Sequence, residues 1–384
     1  MDEVENDNGK ITRRGFLLGA SALLLLGAAG AGKWSSAESP LLKTRSPARR
    51  DPSQARPPYD DGVHPFSIFW ITDTQYLSES DPVLFSRTTN WIARNWTTFN
   101  GKLVIHTGDL VQTGDILQEW VNADAAMKVL RDNNIPYLWC AGNHDDIVQD
   151  DPTYGWAGEQ FDSFNPAIVG PKVNGLGYVQ WVGDYRNAMN TAVSFAANGY
   201  NFLVVNLEWD APPDATDWLE GLLDDENYKD YYVILGPHAY MDATGSTDDA
   251  RWGPILADFR RRLRDIMDEH SSNVFLTLNG HFATDSGYHT PQPTNGRNQL
   301  MFDRQESTDN PDDPVDSSVQ DVLKVGGGTA TILTFDTFAN TVNVRTFDMF
   351  NGQYRTNLAD QYSFTMLPNP SILEQTTAVA RATR

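Results

Sequence analysis

The chain has 384 residues, and 40% of them are hydrophobic, enough to build one large domain or two modest ones and to exclude wholesale disorder. Its 51 Asp and Glu against 29 Lys and Arg give a net charge of −22, a sign that repels phosphate backbones and anionic lipid and argues against nucleic acid or a membrane surface as partner. The excess rests on 39 Asp beside 12 Glu, and the cations are 21 Arg to 8 Lys; this fits a halophilic protein, since screening shrinks to about 3 Å at 1 M salt, with an acidic secreted protein as the alternative.

In chain order, Arg13 and Arg14 precede an apolar run from Leu18 to Ala31 that ends in the small residues Ala29, Gly30 and Ala31. Adjacent arginines before such a run resemble a twin-arginine export signal. An uncleaved anchor is the competitor, because about 17 apolar residues is the lower limit for a span. Residues 1–37 are therefore expected to be a signal peptide or anchor, and the Pro-, Arg- and Asp-rich residues 38–63 a linker. One folded domain is expected over 64–368, followed by a tail at 369–384. The single cysteine, Cys140, sits in an apolar run and reads as a small buried residue.

Ser67 to Thr72 is a β-branched and aromatic run ending at Asp73, Thr74 and Gln75. A helix opening at Pro82 follows, then strand Lys102 to His106, ending at Gly108 and Asp109. Helix Leu117 to Arg131 leads to strand Tyr137 to Cys140 and then Gly142, Asn143, His144 and Asp145. Three successive strands thus deliver metal-competent side chains to one edge, which is where α/β sheets bind ligands.

The segment from Asp146 to Tyr200 scatters Tyr154, Trp156, Phe161, Phe164, Trp181 and Tyr185 among Gly, Pro and Asp. These aromatics form either a lid over the strand ends or the cover of a core edge. Beyond them the alternation resumes with strand Asn201 to Asn206, helix Ala215 to Leu223, and strand Tyr231 to Leu235 ending at His238. Helix Pro254 to Glu269 and strand Val274 to Leu278 then end at Gly280 and His281. Thr329 to Phe335 and Thr341 to Phe347, joined around Ala339 and Asn340, predict a closing hairpin.

Asp73-x-Gln75, Gly108-Asp109, Gly142-Asn143-His144-Asp145, His238 and Gly280-His281, in this order, resemble the calcineurin-like metallophosphoesterase superfamily over residues 66 to 350. Asp303-Arg304-Gln305 ahead of Gly326 to Gly328 is similar to an exported branch of it. The resemblance implies an α/β fold, a four-layer α/β/β/α sandwich, around two divalent metals. Asp109 would bridge them; Asn143, His238 and His281 would complete one site, and Asp73 and Gln75 the other. His144 would be catalytic without being a ligand, contacting the phosphoryl oxygen or protonating the leaving alkoxide, and Asp145 would orient the loop or His144. Plainer roles stand beside these: Asp73 and Asp109 could be helix caps, Asn143 a turn residue, and His106 a core or supporting histidine.

Two departures matter. The family has histidine where Gln75 stands, and a second histidine after His281 where Ala283 stands. By that resemblance both lost imidazoles belong to the Asp73 site, which then keeps oxygen donors suited to Mn²⁺, Mg²⁺ or Ca²⁺, while the other site favours Zn²⁺, Fe or Mn²⁺. His289 and Asp285 are distant candidates for replacement. The expected function is that of an exported, monomeric phosphoesterase that hydrolyses small phosphate mono- or diesters through a metal-bound hydroxide. The alternative is a degenerate metal-binding or cell-surface module.

Overall fold

A computed structural model describes residues 64–366 except 152, 154, 248–252, 284–286, 291–295 and 306–327. The expected signal or anchor, linker and tail lie outside the described residues, as do Tyr154, Asp285, Gly326 and Gly327. Among the described residues no helix is long and apolar enough to cross a membrane.

The chain runs β1 (Phe66–Ile71), α1 (Gln75–Ser80), α2 (Pro82–Asn95), β2 (Gly101–His106), α3 (Leu117–Asp132) and β3 (Tyr137–Trp139). It continues through α4 (Pro166–Gly175), β4 (Val179–Tyr185), β5 (Asn190–Ala197), β6 (Tyr200–Leu207), α5 (Pro213–Leu223), β7 (Tyr232–Pro237), α6 (Pro254–Glu269) and β8 (Val274–Asn279). Six shorter or terminal strands close it: β9 (Tyr288–His289), β10 (Asn298–Met301), β11 (Thr329–Asp336), β12 (Thr341–Asp348), β13 (Gln353–Tyr354) and β14 (Gln361–Thr365). They form two sheets among the described residues, ordered β13-β12-β11-β1-β2-β3, with β14 on β12, and β4-β5-β6-β7-β8-β10-β9.

Burial on both faces explains why the central strands read as continuous apolar runs rather than alternating ones. In β1, Phe66 meets Phe202 of the second sheet at 5.5 Å between ring centroids, while Phe69, one pleat along, stacks on Trp96 beside α2 at 5.7 Å. In β6, Phe202 and Val204 join the core shared with the first sheet, and Leu203, Val205 and Leu207 join a second core with Leu219 of α5 and Phe259 and Leu263 of α6. Period-two alternation thus turns the two faces of β6 to two cores and those of β1 to the second sheet and to the helical side, giving the expected α/β/β/α layers.

Among the described residues, the aromatics between Asp146 and Tyr200 cover a core and form no lid. Trp156 and Phe164 are buried against Trp120 of α3, and Trp181 packs on Trp139 of β3. Tyr185 stacks on Trp218 of α5. The same segment holds α4 and the antiparallel strands β4 and β5, and β5 pairs with β6. Cys140 is buried.

The parallel pairs β1 with β2, β2 with β3, β6 with β7, β7 with β8 and β8 with β10 point the carboxyl ends of these strands to a common edge within each sheet. Polar side chains follow every one of those ends.

Candidate metal centre

Asp73 and Asp109 follow β1 and β2 directly, each in the left-handed region, with φ of 51° and 54°, which Asp tolerates better than most residues. The two turns are tied by Asp73 N donating to the Gly108 carbonyl at 3.1 Å and Thr74 N to the Asp109 carbonyl at 2.8 Å. Neither carboxylate caps a helix. Asp73 accepts from the His281 backbone N at 3.0 Å and the Thr72 hydroxyl at 2.6 Å; Asp109 accepts from the His144 backbone N and from Gln75 Nε2, both at 3.1 Å. Asp81 is the residue that caps α2, through Leu84 N at 3.0 Å.

Three metal-competent atoms converge beside Asp109. Asn143 Oδ1 lies 3.2 Å from His238 Nε2 and 3.0 Å from His281 Nδ1, and His238 Nε2 lies 3.4 Å from Asp109 Oδ1. Asn143 Nδ2 donates to Asp150 Oδ1 at 2.9 Å, which turns the amide oxygen toward the imidazoles. His238 Nδ1 sits 2.7 Å from the Thr107 carbonyl. A carbonyl only accepts, so Nδ1 carries the proton and Nε2 keeps its lone pair for a metal. Burial holds His238 neutral, below the ordinary imidazole range, against the opposing pull of Asp109, and burial with the neighbouring His238 pushes His281 lower still. Neutral imidazole is the form that ligates.

Across Asp109, ligand atoms of Asp73, Asp109 and His238 lie within 4.8 Å of one another. Burial, then the charges of Asp303 and Asp109, push the Asp73 carboxyl well above its usual range. A divalent cation would reverse that shift by supplying the missing positive charge. Gln75 is fully buried; its Nε2 donates to Asp109 and to Gln305 Oε1, and its Oε1 has no hydrogen-bond partner among the described residues. Buried oxygens rarely stay orphaned, and this one fits an ion as its missing partner. The donor set thus fits a divalent metal on both sides of Asp109.

Two glycines make the approach possible. A Cβ on Gly142 would collide with the Asp109 carboxylate, and one on Gly280 with that of Asp73. Asp145 is a clamp on this backbone and does not touch His144. Its Oδ1 accepts from Leu110 N and Val111 N at 2.8 and 3.0 Å, and its Oδ2 from Gly142 N at 2.7 Å. His106 is a buried support, linked to Thr74 Oγ1 at 3.0 Å and to the Gly108 N–H at 3.2 Å. Burial, with His238 adding to it, lowers its pKa to about 3.

His144 lines a cavity of about 760 Å³ with Asp109, Asn143, Trp209 and His281. Its Nδ1 is 2.9 Å from the Gln112 carbonyl, so Nδ1 holds a proton there and Nε2 is the nitrogen left for exchange. No Lys or Arg lines this cavity among the described residues. His289 lies on β9 stacked on Tyr362 at 4.7 Å and is not part of the cavity wall. Trp209 was not singled out by its sequence context; it lies just past β6, its ring 5.0 Å from His281, and its indole Nε1 has no hydrogen-bond partner among the described residues.

Residues 66–264 match the calcineurin-like phosphoesterase family. The chain belongs to that family. It is 29% identical over 219 residues to a Bacillus subtilis protein described as uncharacterized protein YvnB, a stretch covering 56% of this chain and 15% of that one. The phosphoesterase chain here therefore spans a small part of that relative's length. Its fold is similar to yellow lupin purple acid phosphatase PPD1, at a TM-score of 0.46 and 15% identity, covering 80% of this chain and 55% of that one. It is also similar to GAP50, the anchor in the inner membrane complex of Plasmodium, at a TM-score of 0.46 and 11% identity, covering 82% and 94%.

Proposed function

We propose that this chain is an exported, metal-dependent phosphoesterase acting on small phosphate mono- or diesters. The observation that carries this is the convergence of Asp109 Oδ1, Asn143 Oδ1, His238 Nε2 and His281 Nδ1, with Asp73 beside Asp109, where Asp109, Asn143 and His281 line one cavity. Asp109, Asn143, His238 and His281 would hold one divalent ion, and Asp73, Asp109 and Gln75 a second. When bound, such a pair supplies charge for the phosphoryl oxygens and lowers the pKa of a water.

The chain's own residues do the rest. Asp109 is fixed by the His144 N–H and Gln75, which holds its two oxygens toward different neighbours. His144, tethered at Nδ1, exchanges a proton at Nε2 with the leaving oxygen. Trp209 lines the cavity with its ring 5.0 Å from His281. A wall that carries no Lys or Arg among the described residues supports a small ester over a polyanion. Export is supported by Arg13 and Arg14 ahead of the apolar run.

The test is turnover of aryl phosphate mono- and diesters with added Mn²⁺ in molar KCl. Wild type should turn over only with metal, and Asp109→Asn and His144→Ala should be severely impaired. Absence of metal-dependent turnover at any salt would favour the second reading, a metal-binding module without catalysis, which the loss of imidazoles at Gln75 and Ala283 motivates.

A further inference from the structure

We propose that Asp303 is a ligand on the Asp73 side of the metal centre, taking the place of the imidazoles lost at Gln75 and Ala283; this rests on the two-metal reading above. Strand β10 runs parallel to β8, with Met301 paired to Asn279. The ladder continues one step beyond the strand, because Phe302 N donates to the Asn279 carbonyl at 3.1 Å. Counted on from that pair, Asp303 stands level with His281, at the strand end adjacent to a metal-ligating one. The second sheet therefore brings a carboxylate to the edge of the site from a strand that supplies no residue of the expected ligand set.

The side chain is fully buried, as are Asp73 and Gln75. Asp303 Oδ2 accepts from Gln305 Nε2 at 3.0 Å, and Gln305 Oε1 in turn accepts from Gln75 Nε2, so Asp303 is one side chain removed from Gln75. The next residue, Arg304, is engaged elsewhere: it lies over the Phe302 ring and pairs with buried Asp360. Asp73, Asp109 and Asp303 are each at most 1% exposed, Asp109 accepts from Gln75 Nε2, and Gln75 Oε1 has no hydrogen-bond partner among the described residues. Buried carboxylates persist when paired or when they bind a metal. A site with this much oxygen and no nitrogen of its own selects hard ions, Mn²⁺, Mg²⁺ or Ca²⁺, over Zn²⁺.

The experiment is Mn²⁺ titration of the full chain in molar KCl by calorimetry, for wild type and Asp303→Asn, with ion stoichiometry measured independently of turnover. Wild type should bind two ions of unequal affinity. Asp303→Asn should weaken the weaker by about tenfold or more and leave the tighter unchanged. Two ions at unchanged affinity in Asp303→Asn overturn this inference alone; one ion or none in wild type overturns the two-metal reading and this inference with it. If Asp303→Asn does not fold, anomalous scattering from Mn²⁺ in wild-type crystals decides: an ion within about 2.6 Å of the Asp303 carboxylate supports the assignment, and an ion on the Asp73 side out of its reach overturns it.

Discussion

Asp145 shows how much of this centre depends on one side chain that touches no substrate. Its carboxylate collects three backbone N–H groups from the turns that carry Asp109 and Asn143. Asp145→Ala leaves those donors buried and unpartnered, at about 1–3 kcal/mol each, so we expect a loss of several kcal/mol in the denaturant midpoint analysis. A loss within the noise would show that the clamp is dispensable. Gly142→Ala should instead act on chemistry: the added methyl displaces Asp109, and a misplacement of about 1 Å is worth roughly 100-fold in rate. Asp146 offers a pH test. Burial, then Glu208, raise its carboxyl to about 9, and neither oxygen has a hydrogen-bond partner among the described residues. The native carboxyl stays protonated where the unfolded one, near 3.8, has ionised. Its contribution to stability is full below pH about 4 and is lost as pH rises toward 9. Melting temperature should therefore fall across that window, and Asp146→Asn should flatten the fall.

At the level of elements, the legible parts are those whose environment matches a simple pattern. β1, β2, β6, β7 and β8 are buried along their whole length apart from single residues, so each is a short apolar run ending at a polar residue. β4 was not legible because it is an edge strand, exposed in part and interrupted by Gly183 and Asp184; only its pairing with β5 makes it a strand. β10 has four residues, too few for periodicity to speak, and with it the place of Asp303 was hidden. The aromatic stretch was ambiguous for another reason: Trp, Tyr and Phe suit a lid and a core equally, and only α3 packing against them decides. Trp120 is the hub, with Trp156, Phe161 and Phe164 around it at 5.4–6.0 Å. Trp120→Ala should cost about 3–5 kcal/mol while leaving metal stoichiometry unchanged, which urea unfolding and metal analysis test together.

For the whole molecule, the charge of −22 now has a location as well as a sign. The cavity wall carries Asp109, Asp150, Asp210 and Asp242 and no described cation, so neutralisation of a phosphate falls to the metals. Most remaining carboxylates repel one another across the surface, and added KCl should raise the melting temperature from low to molar salt; a flat or falling trend would contradict the halophilic expectation. The sequence by itself determined the family, the layered α/β class, and the identities and order of Asp73, Asp109, Asn143, His238 and His281, because each follows a strand whose apolar run is a local property. Only the tertiary structure decided which atoms meet: that Asn143 Oδ1 faces both imidazoles, that Asp145 clamps the backbone at Leu110, Val111 and Gly142, and that Asp303 is linked to Gln75 through Gln305 from a distant strand. The reason is that strand ends are set by local periodicity, whereas neighbours across an edge are set by sheet order and register, which pair residues more than two hundred positions apart.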